Sequence, residues 1–443
     1  MKKYEMIAGH IKRVISETKL RPHDKLPSLR EVADLFDSSL GTVVTAYKAL
    51  ERENIIYSAP KSGYFVLDTD AAHRNIKRCI DFYSGAPDIR CIPYQDFQHC
   101  VYRAVNTYQE TLFSYSDTQG MPALLEILKK HLSDYQVHTK LENIIVVSGS
   151  QQALDILCRM DFPNGKKKIL VEQPTYYGML KSLELCQVPC RGIWRDFDGL
   201  NMNQLEDIFK NDDIKFFYTI SRYHNPTGQS YTQKEMKTLV RLAEKYNVYL
   251  VEDDIAGDFE TNPKRDPLYF YDTCERVVYI RSFSKMMMPG LRIAAVVLPP
   301  LAIEAFLEYK KWTDTYSSIL SQGTLAIYLN SGLFQKNRIA MRNVYVKRMS
   351  KLKEMANQLA APDIEWSIPD SSFFACLKLK KGVPFAKLEP DLARNGIRLM
   401  DTSLFFLSEF ANDKYYRISV SKTNEAEIEE GITKLMEIFK RQR

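Results

Sequence analysis

A lysine with hydroxyls one and three residues before it and an arginine seven after it is equipped to hold an aldehyde that carries a phosphate. Ser282-Phe-Ser-Lys285-Met-Met-Met-Pro-Gly-Leu-Arg292 has that arrangement. The amine of Lys285 can condense with the aldehyde to a Schiff base, while Ser282 and Arg292 take the phosphate in charge-assisted hydrogen bonds. Four other stretches offer matching chemistry. Ser148-Gly-Ser-Gln-Gln-Ala-Leu154 opens a helix, so the amides and hydroxyl around Ser150 and Gln151 can hold an anion at the positive helix end. Glu172-Gln-Pro-Thr-Tyr176 brings an aromatic ring that could stack on a flat cofactor. His224-Asn-Pro-Thr-Gly228 is a tight turn with an amide at its mouth. Glu252-Asp-Asp254 supplies three carboxylates, one of which could pair with a protonated ring nitrogen and strengthen a cofactor as an electron sink. Taken singly these are a helix cap, a core tyrosine, a turn and an acidic strand end; their order along one chain makes them a set.

The elements that must position this set are legible as short apolar runs alternating with amphipathic helices. Residues 144–147, 169–171, 214–219, 248–251, 277–280 and 293–298 read as strands, and residues 232–246 as a helix opened by the capping box Thr232-x-x-Glu235. Such alternation implies an α/β domain with a mainly parallel sheet covered by helices on both faces, and ligands at the carboxyl ends of its strands. Most of the polar motifs fall at those ends.

Together they resemble the fold-type-I pyridoxal-phosphate aminotransferases over residues 80–443, with a smaller C-terminal α+β subdomain from about residue 330. The resemblance implies that Lys285 forms the internal aldimine, Asp253 pairs with the pyridine nitrogen, Asn225 bonds the ring hydroxyl and Tyr176 stacks on the ring. It assigns the phosphate to Ser150, Gln151, Ser282 and Arg292, and a ligand carboxylate to Arg417, whose planar fork suits that task. Tyr115 matches the tyrosine that reaches the phosphate of a neighbouring subunit, which implies a dimer. One departure stands out. The tyrosine that follows the pyridine-pairing aspartate by two or three positions in those enzymes is replaced by Ile255 and Ala256. Losing that donor to the ring hydroxyl is expected to raise the aldimine pKa and to weaken transamination, while leaving exchange with an amine ligand possible.

Ahead of this domain, Ile7, Ile11, Val14 and Ile15 mark one amphipathic helix, and Ser28-x-x-Glu31 caps a second with Leu29, Val32, Ala33 and Phe36 on its apolar face. A third starts at Ser39, turning Val43, Ala46, Tyr47 and Leu50 inward and leaving a small, polar outer face. Two strands around residues 58–63 complete a winged helix-turn-helix. Leu26-Pro-Ser-Leu-Arg30, Thr42-Val-Val-Thr-Ala-Tyr-Lys-Ala-Leu50 and Ser62-Gly-Tyr-Phe-Val66 resemble the GntR family of bacterial repressors. That resemblance implies DNA contacts from Arg30 and from the start of the third helix, Ser39, Thr42 and Thr45, with Lys61 at the wing tip. Leu40 stands where many relatives carry arginine.

The division expected is a DNA-binding domain over residues 1–68, a solvated linker over 69–79 and the aminotransferase-like domain over 80–443. The fused layout, with Gly85-Ala-Pro-Asp88 and Ile92-Pro93 at the junction, resembles the MocR family of transcription regulators. It implies a PLP-binding, domain-swapped head-to-tail homodimer that binds a double-stranded operator and responds to an amine, an amino acid or the cofactor itself. The competing reading is an active aminotransferase of 2-aminoadipate or kynurenine type with an accessory DNA-binding head. Composition is that of a globular protein: 443 residues, 45% hydrophobic, 26% charged, formal charge +6. Neither a signal peptide nor a bilayer-spanning run is present, so a cytoplasmic protein with no membrane contact is expected. The eight cysteines lack Cys-x-x-Cys spacing and the seven histidines form no His-Glu-x-x-His, so neither disulfides nor a metal site is indicated.

Overall fold

The 3.6-residue spacing of Ile7, Ile11, Val43, Ala46, Tyr47 and Leu50 closes a small helical core, and each of these side chains is fully buried. The computed structural model describes residues 3–17, 20, 23–52, 55–59, 62–67 and 79–442. The chain divides into two units, Met1–Arg78 and Cys79–Arg443. In the first, α1 (Lys3–Glu17), α2 (Leu29–Leu35) and α3 (Leu40–Arg52) precede an antiparallel pair, β1 (Ile56–Ala59) and β2 (Gly63–Val66), with Ile56 opposite Val66. The capping box at α2 is formed: Glu31 N–H donates to Ser28 Oγ and Ser28 N–H to Glu31 Oε2. Tyr47 Oη donates to the Pro27 carbonyl over 2.7 Å, fastening α3 to the entry of α2. Residues 69–78 of the expected linker and Lys61 lie outside the described residues.

The second unit opens with β3 (Ile80–Asp81) and then builds an eight-stranded sheet from β4 (Ile144–Val147), β5 (Lys168–Gln173), β6 (Cys190–Asp196), β7 (Gly199–Leu200), β8 (Ile214–Thr219), β9 (Tyr249–Asp254), β10 (Val277–Ser282) and β11 (Ala294–Val297). The spatial order is β4-β11-β10-β9-β8-β5-β6-β7. β11 runs antiparallel to both its neighbours and β7 antiparallel to β6; the other pairings are parallel. The run expected from Val248 begins one residue later and extends to Asp254, because the carboxylates at its end are buried and bonded within the sheet.

Helices α4 (Tyr94–Leu112), α5 (Pro122–Ser133), α6 (Ser150–Arg159), α7 (Tyr177–Cys186), α8 (Met202–Asn211), α9 (Gln233–Lys245), α10 (Pro300–Asp314) and α11 (Ile319–Asn330) surround this sheet. Thr232 caps α9 with the expected box to Glu235. The long α12 (Leu333–Gln358) leads into a smaller layer of β12 (Ile364–Ser367), β13 (Phe374–Leu379), α13 (Phe385–Arg394), β14 (Ile397–Arg398), β15 (Tyr415–Ser419) and α14 (Glu425–Arg441). β12, β13 and β15 form an antiparallel sheet, and β14 pairs in parallel with β3. The segment that enters the second unit is therefore part of its C-terminal layer. Among the described residues, no helix is long and apolar enough to cross a membrane.

Candidate functional site

The carboxyl ends of β4, β5, β8, β9 and β10 open on one cavity of about 370 Å3. Ser150, Gln151, Tyr176, Asn225, Asp253, Ser282, Lys285, Arg292 and Arg417 all line it, so nine of the residues singled out from sequence meet in one place. Gly149 adopts φ +87°, and a Cβ there would stand 2.5 Å from Arg292 Nη2. Glycine thus lets the arginine close over the start of α6, where Arg292 also donates to the Ser148 carbonyl over 3.4 Å. Behind this loop Ser148 Oγ donates to Asp314 Oδ2 (2.8 Å), and Lys310 holds the other oxygen of Asp314. Gln151 differs from expectation in one respect. Its side-chain amide donates to the Gly178 carbonyl and to Ser182 Oγ and accepts from Tyr176 Oη, which leaves the backbone N–H at the helix start for an anion.

The three carboxylates at the end of β9 have different fates. Strand alternation points Glu252 and Asp254 away from the cavity. Glu252 accepts from Ser221 and from the amides of Leu268 and Tyr269, and Asp254 from Arg222, Arg281 and Tyr279. Asp253, 1% exposed, faces the cavity; Tyr218 Oη donates to its Oδ2 over 2.9 Å, and Oδ1 has no partner. Burial pushes the Asp253 carboxyl up to about 7 despite the bond from Tyr218. A buried acceptor without a donor is costly, and a protonated pyridine nitrogen is a partner of the right kind. Burial, and then the charge of Arg417, bring the Lys285 amine down to about 8, so near neutral pH it has an appreciable unprotonated, nucleophilic fraction. These features fit pyridoxal phosphate: an amine for the aldehyde, an anion cup at α6 and a carboxylate for the ring nitrogen.

Arg417, on β15, is 2% exposed and forms no close ion pair among the described residues, Asp81 acting on it only as a more distant charge. Its Nη1 donates to Asn225 Oδ1 (3.3 Å), its Nη2 to the Tyr83 carbonyl (2.5 Å), its Nε has no partner, and its guanidinium lies 4.4 Å from the centre of the Phe374 ring. Burial lowers its pKa to about 10. A buried cation held this way lacks an anion. Lys285 Nζ in turn donates to the Gly85 carbonyl over 2.5 Å, and Ser419 and Ser421 hydroxyls hold the Ser84 carbonyl. Three successive carbonyls just after β3 are therefore fastened, the outer two by cavity residues and the middle one by serines at and just beyond the end of β15.

Sequence reasoning missed Tyr218, Asp314 and the Tyr83–Gly85 carbonyls. The tyrosine sits in an apolar run, the aspartate at a helix end, and backbone acceptors leave no trace in residue types. Ile255 lines the cavity and Ala256 is buried, so the tyrosine absent from those positions leaves an apolar wall. Tyr115 is 92% exposed and outside the cavity, edge-on to Tyr316. On the N-terminal unit Arg30, Ser39 and Thr45 are exposed and Thr42 is half-buried.

Residues 93–435 match the family described as aminotransferase class I and II, and residues 3–66 match bacterial regulatory proteins of the gntR family. The chain is 39% identical to the HTH-type transcriptional regulator YcxD of Bacillus subtilis (strain 168), over 98% of this chain and 99% of that one. It is 24% identical to the HTH-type transcriptional regulator NorG of Staphylococcus aureus (strain N315), over 94% of this chain and 100% of that one. Among solved structures, the kynurenine aminotransferase of Pyrococcus horikoshii in complex with PMP superposes with a TM-score of 0.77 at 25% identity, covering 85% of this chain and 97% of that one.

Proposed function

On the premise that the chain belongs to the class I and II aminotransferase family and carries a gntR-type head, the MocR arrangement, we propose that its cavity senses a small amino-group-bearing carboxylate and passes that occupancy to DNA binding. The protein is a PLP-dependent, DNA-binding transcription regulator. When bound, the cofactor supplies an aldehyde that amines capture reversibly and a ring that withdraws electrons. Lys285 is the residue to hold it, Asp253 to face its ring nitrogen, Asn225 its ring hydroxyl, Tyr176 its face, and Ser150, Gln151, Ser282 and Arg292 its phosphate.

The observation that carries the sensing role is Arg417, a buried cation without an anion beside a reactive lysine. With Lys285 and Arg292 committed to the cofactor, no further cation and no further carboxylate lines the cavity among the described residues. The preferred ligand is thus one with a single carboxylate and an uncharged side chain, received by Tyr83, Tyr177, Phe374 and Met400. Glutamate-like and lysine-like side chains would each bury an unpaired charge. The site is completed in a homodimer, domain-swapped between heads and large units, in which Tyr115 serves the partner's phosphate cup.

The test is the visible absorbance of purified protein during titration with amino acids of neutral, acidic and basic type, with operator binding followed in parallel. The expected result is a spectral shift with a neutral amino acid that disappears in Lys285→Ala and changes DNA affinity. Multiple turnover to a 2-oxo acid would overturn the sensor reading in favour of an enzyme. A response to the cofactor alone would make pyridoxal phosphate the effector.

A further inference from the structure

Helix α3 enters the site where the gntR-type head meets DNA, yet its outer face is poor in hydrogen-bonding groups. No arginine, asparagine or glutamine occurs between Ser39 and Leu50, and Lys48 and Arg52 come only in the later turns, so the leading turns of the helix lack the long side chains that read guanine or adenine edges by paired hydrogen bonds. The hydroxyls that are present are engaged within the helix. Ser39 Oγ and Thr42 Oγ1 share a hydrogen bond of 2.9 Å, Ser39 Oγ also accepts from the Thr42 amide, and Thr45 Oγ1 donates to the Gly41 carbonyl over 2.8 Å. What remains outward at the helix start is apolar. Leu40 is 49% exposed, Gly41 is exposed and a Cβ there would meet nothing nearer than Ser39 Oγ at 3.8 Å, and Val44 is half-buried one turn on. The small polar face expected from the sequence is, in its available groups, a methyl-bearing one. Lys48 lies exposed further along the same face.

A lone exposed leucine is ordinary. A leucine, a glycine and a valine grouped at the leading end of a groove-reading helix, with the neighbouring hydroxyls already bonded, is a surface for apolar base contact. The one apolar feature that separates base pairs in the major groove is the C5-methyl of thymine. We infer that α3 reads its operator through thymine methyl groups received by Leu40 and Val44, with Gly41 allowing the backbone close approach and Lys48 and Arg30 available for phosphates. This rests on the DNA-binding reading of the head and adds to it what the head recognises: duplex whose half-site presents thymines to the start of α3.

The experiment uses the full-length protein with its cofactor. Duplexes are enriched from a randomised library at fixed salt, and each thymine of the enriched half-site is then replaced by deoxyuridine, which differs only by the methyl. The expected result is a loss of affinity at one or two positions of roughly fourfold per methyl removed. That loss should shrink to near none in Leu40→Ala or Val44→Ala at the matching position, with the salt dependence of binding unchanged because phosphate contacts are untouched. Leu40→Arg should move the preference at that position toward guanine. Leu40 is exposed, so its variants keep the fold, and a thermal melt verifies this. Two results overturn the inference: a deoxyuridine penalty below about twofold at every thymine, or a penalty that persists undiminished in both alanine variants. Failure to enrich any sequence would be a different failure, that of the DNA-binding reading itself.

Discussion

Asp253 and Arg417 are a matched pair of opposite liabilities, a buried acceptor and a buried cation each lacking its partner. Because the Asp253 carboxyl is raised from roughly 4 to about 7, its contribution to stability is fully present below the ordinary carboxylate range and is lost as pH rises toward 7. Asp253→Asn should therefore stabilise the cofactor-free protein at pH 8, by on the order of 2 kcal/mol, and leave it unchanged at pH 4, while weakening cofactor retention; melting curves at both pH values check this. Tyr218→Phe works in the opposite sense on the same group. Removing the donor raises the proton affinity of Asp253 further, so cofactor affinity at pH 7.5 should fall roughly tenfold and recover partly as pH rises, as read by fluorescence titration. For Arg417→Met, the melting temperature without ligand should stay level or rise, whereas the spectral response to amino acids should weaken by at least about tenfold with cofactor loading intact. Residue types alone offered three candidate carboxylates at 252–254. The period-2 alternation of a strand would have separated them, since only the middle one shares a face with the motifs at the neighbouring strand ends.

At the scale of elements, the turn from β4 into α6 carries the most constraint. Gly149→Ala would place a methyl against Arg292 at a backbone angle that disfavours side chains, so cofactor affinity should drop at least about tenfold with the far-ultraviolet circular dichroism unchanged. Strands that are apolar on both faces, such as residues 144–147 and 214–219, could be read from the sequence with the ends observed, because parallel strands buried on both sides leave continuous apolar runs. β6, with charged residues at Arg191, Arg195 and Asp196, could not. It lies toward the edge of the sheet, and its one deeply buried charge, Arg195, is legible only beside Glu172, which it meets 2.7 Å away. The reversed direction of β11 was equally hidden, since a strand's composition does not reveal which way its neighbours run. The two-residue strands β3 and β14 are too short for any period to show.

For the whole molecule, the point that matters is where the chain enters its second unit. β3 and the following Tyr83–Gly85 segment belong to the C-terminal layer and to the cavity at once. Hydrogen exchange over residues 80–88 should accelerate when cofactor and a carboxylate ligand are both present, and less with the carboxylate alone, when Lys285 still holds Gly85; mass spectrometry of peptides from that region checks it. The two fastenings sit in series on one short stretch of backbone. Lys285 would be free to leave Gly85 once its amine holds the aldehyde of the cofactor, and Arg417 to leave Tyr83 once a carboxylate claims its fork. Neither event alone frees the stretch. Such a device would work in an order: the loaded protein would loosen at this stretch on meeting a carboxylate, and the empty one, still fastened at Gly85, would not.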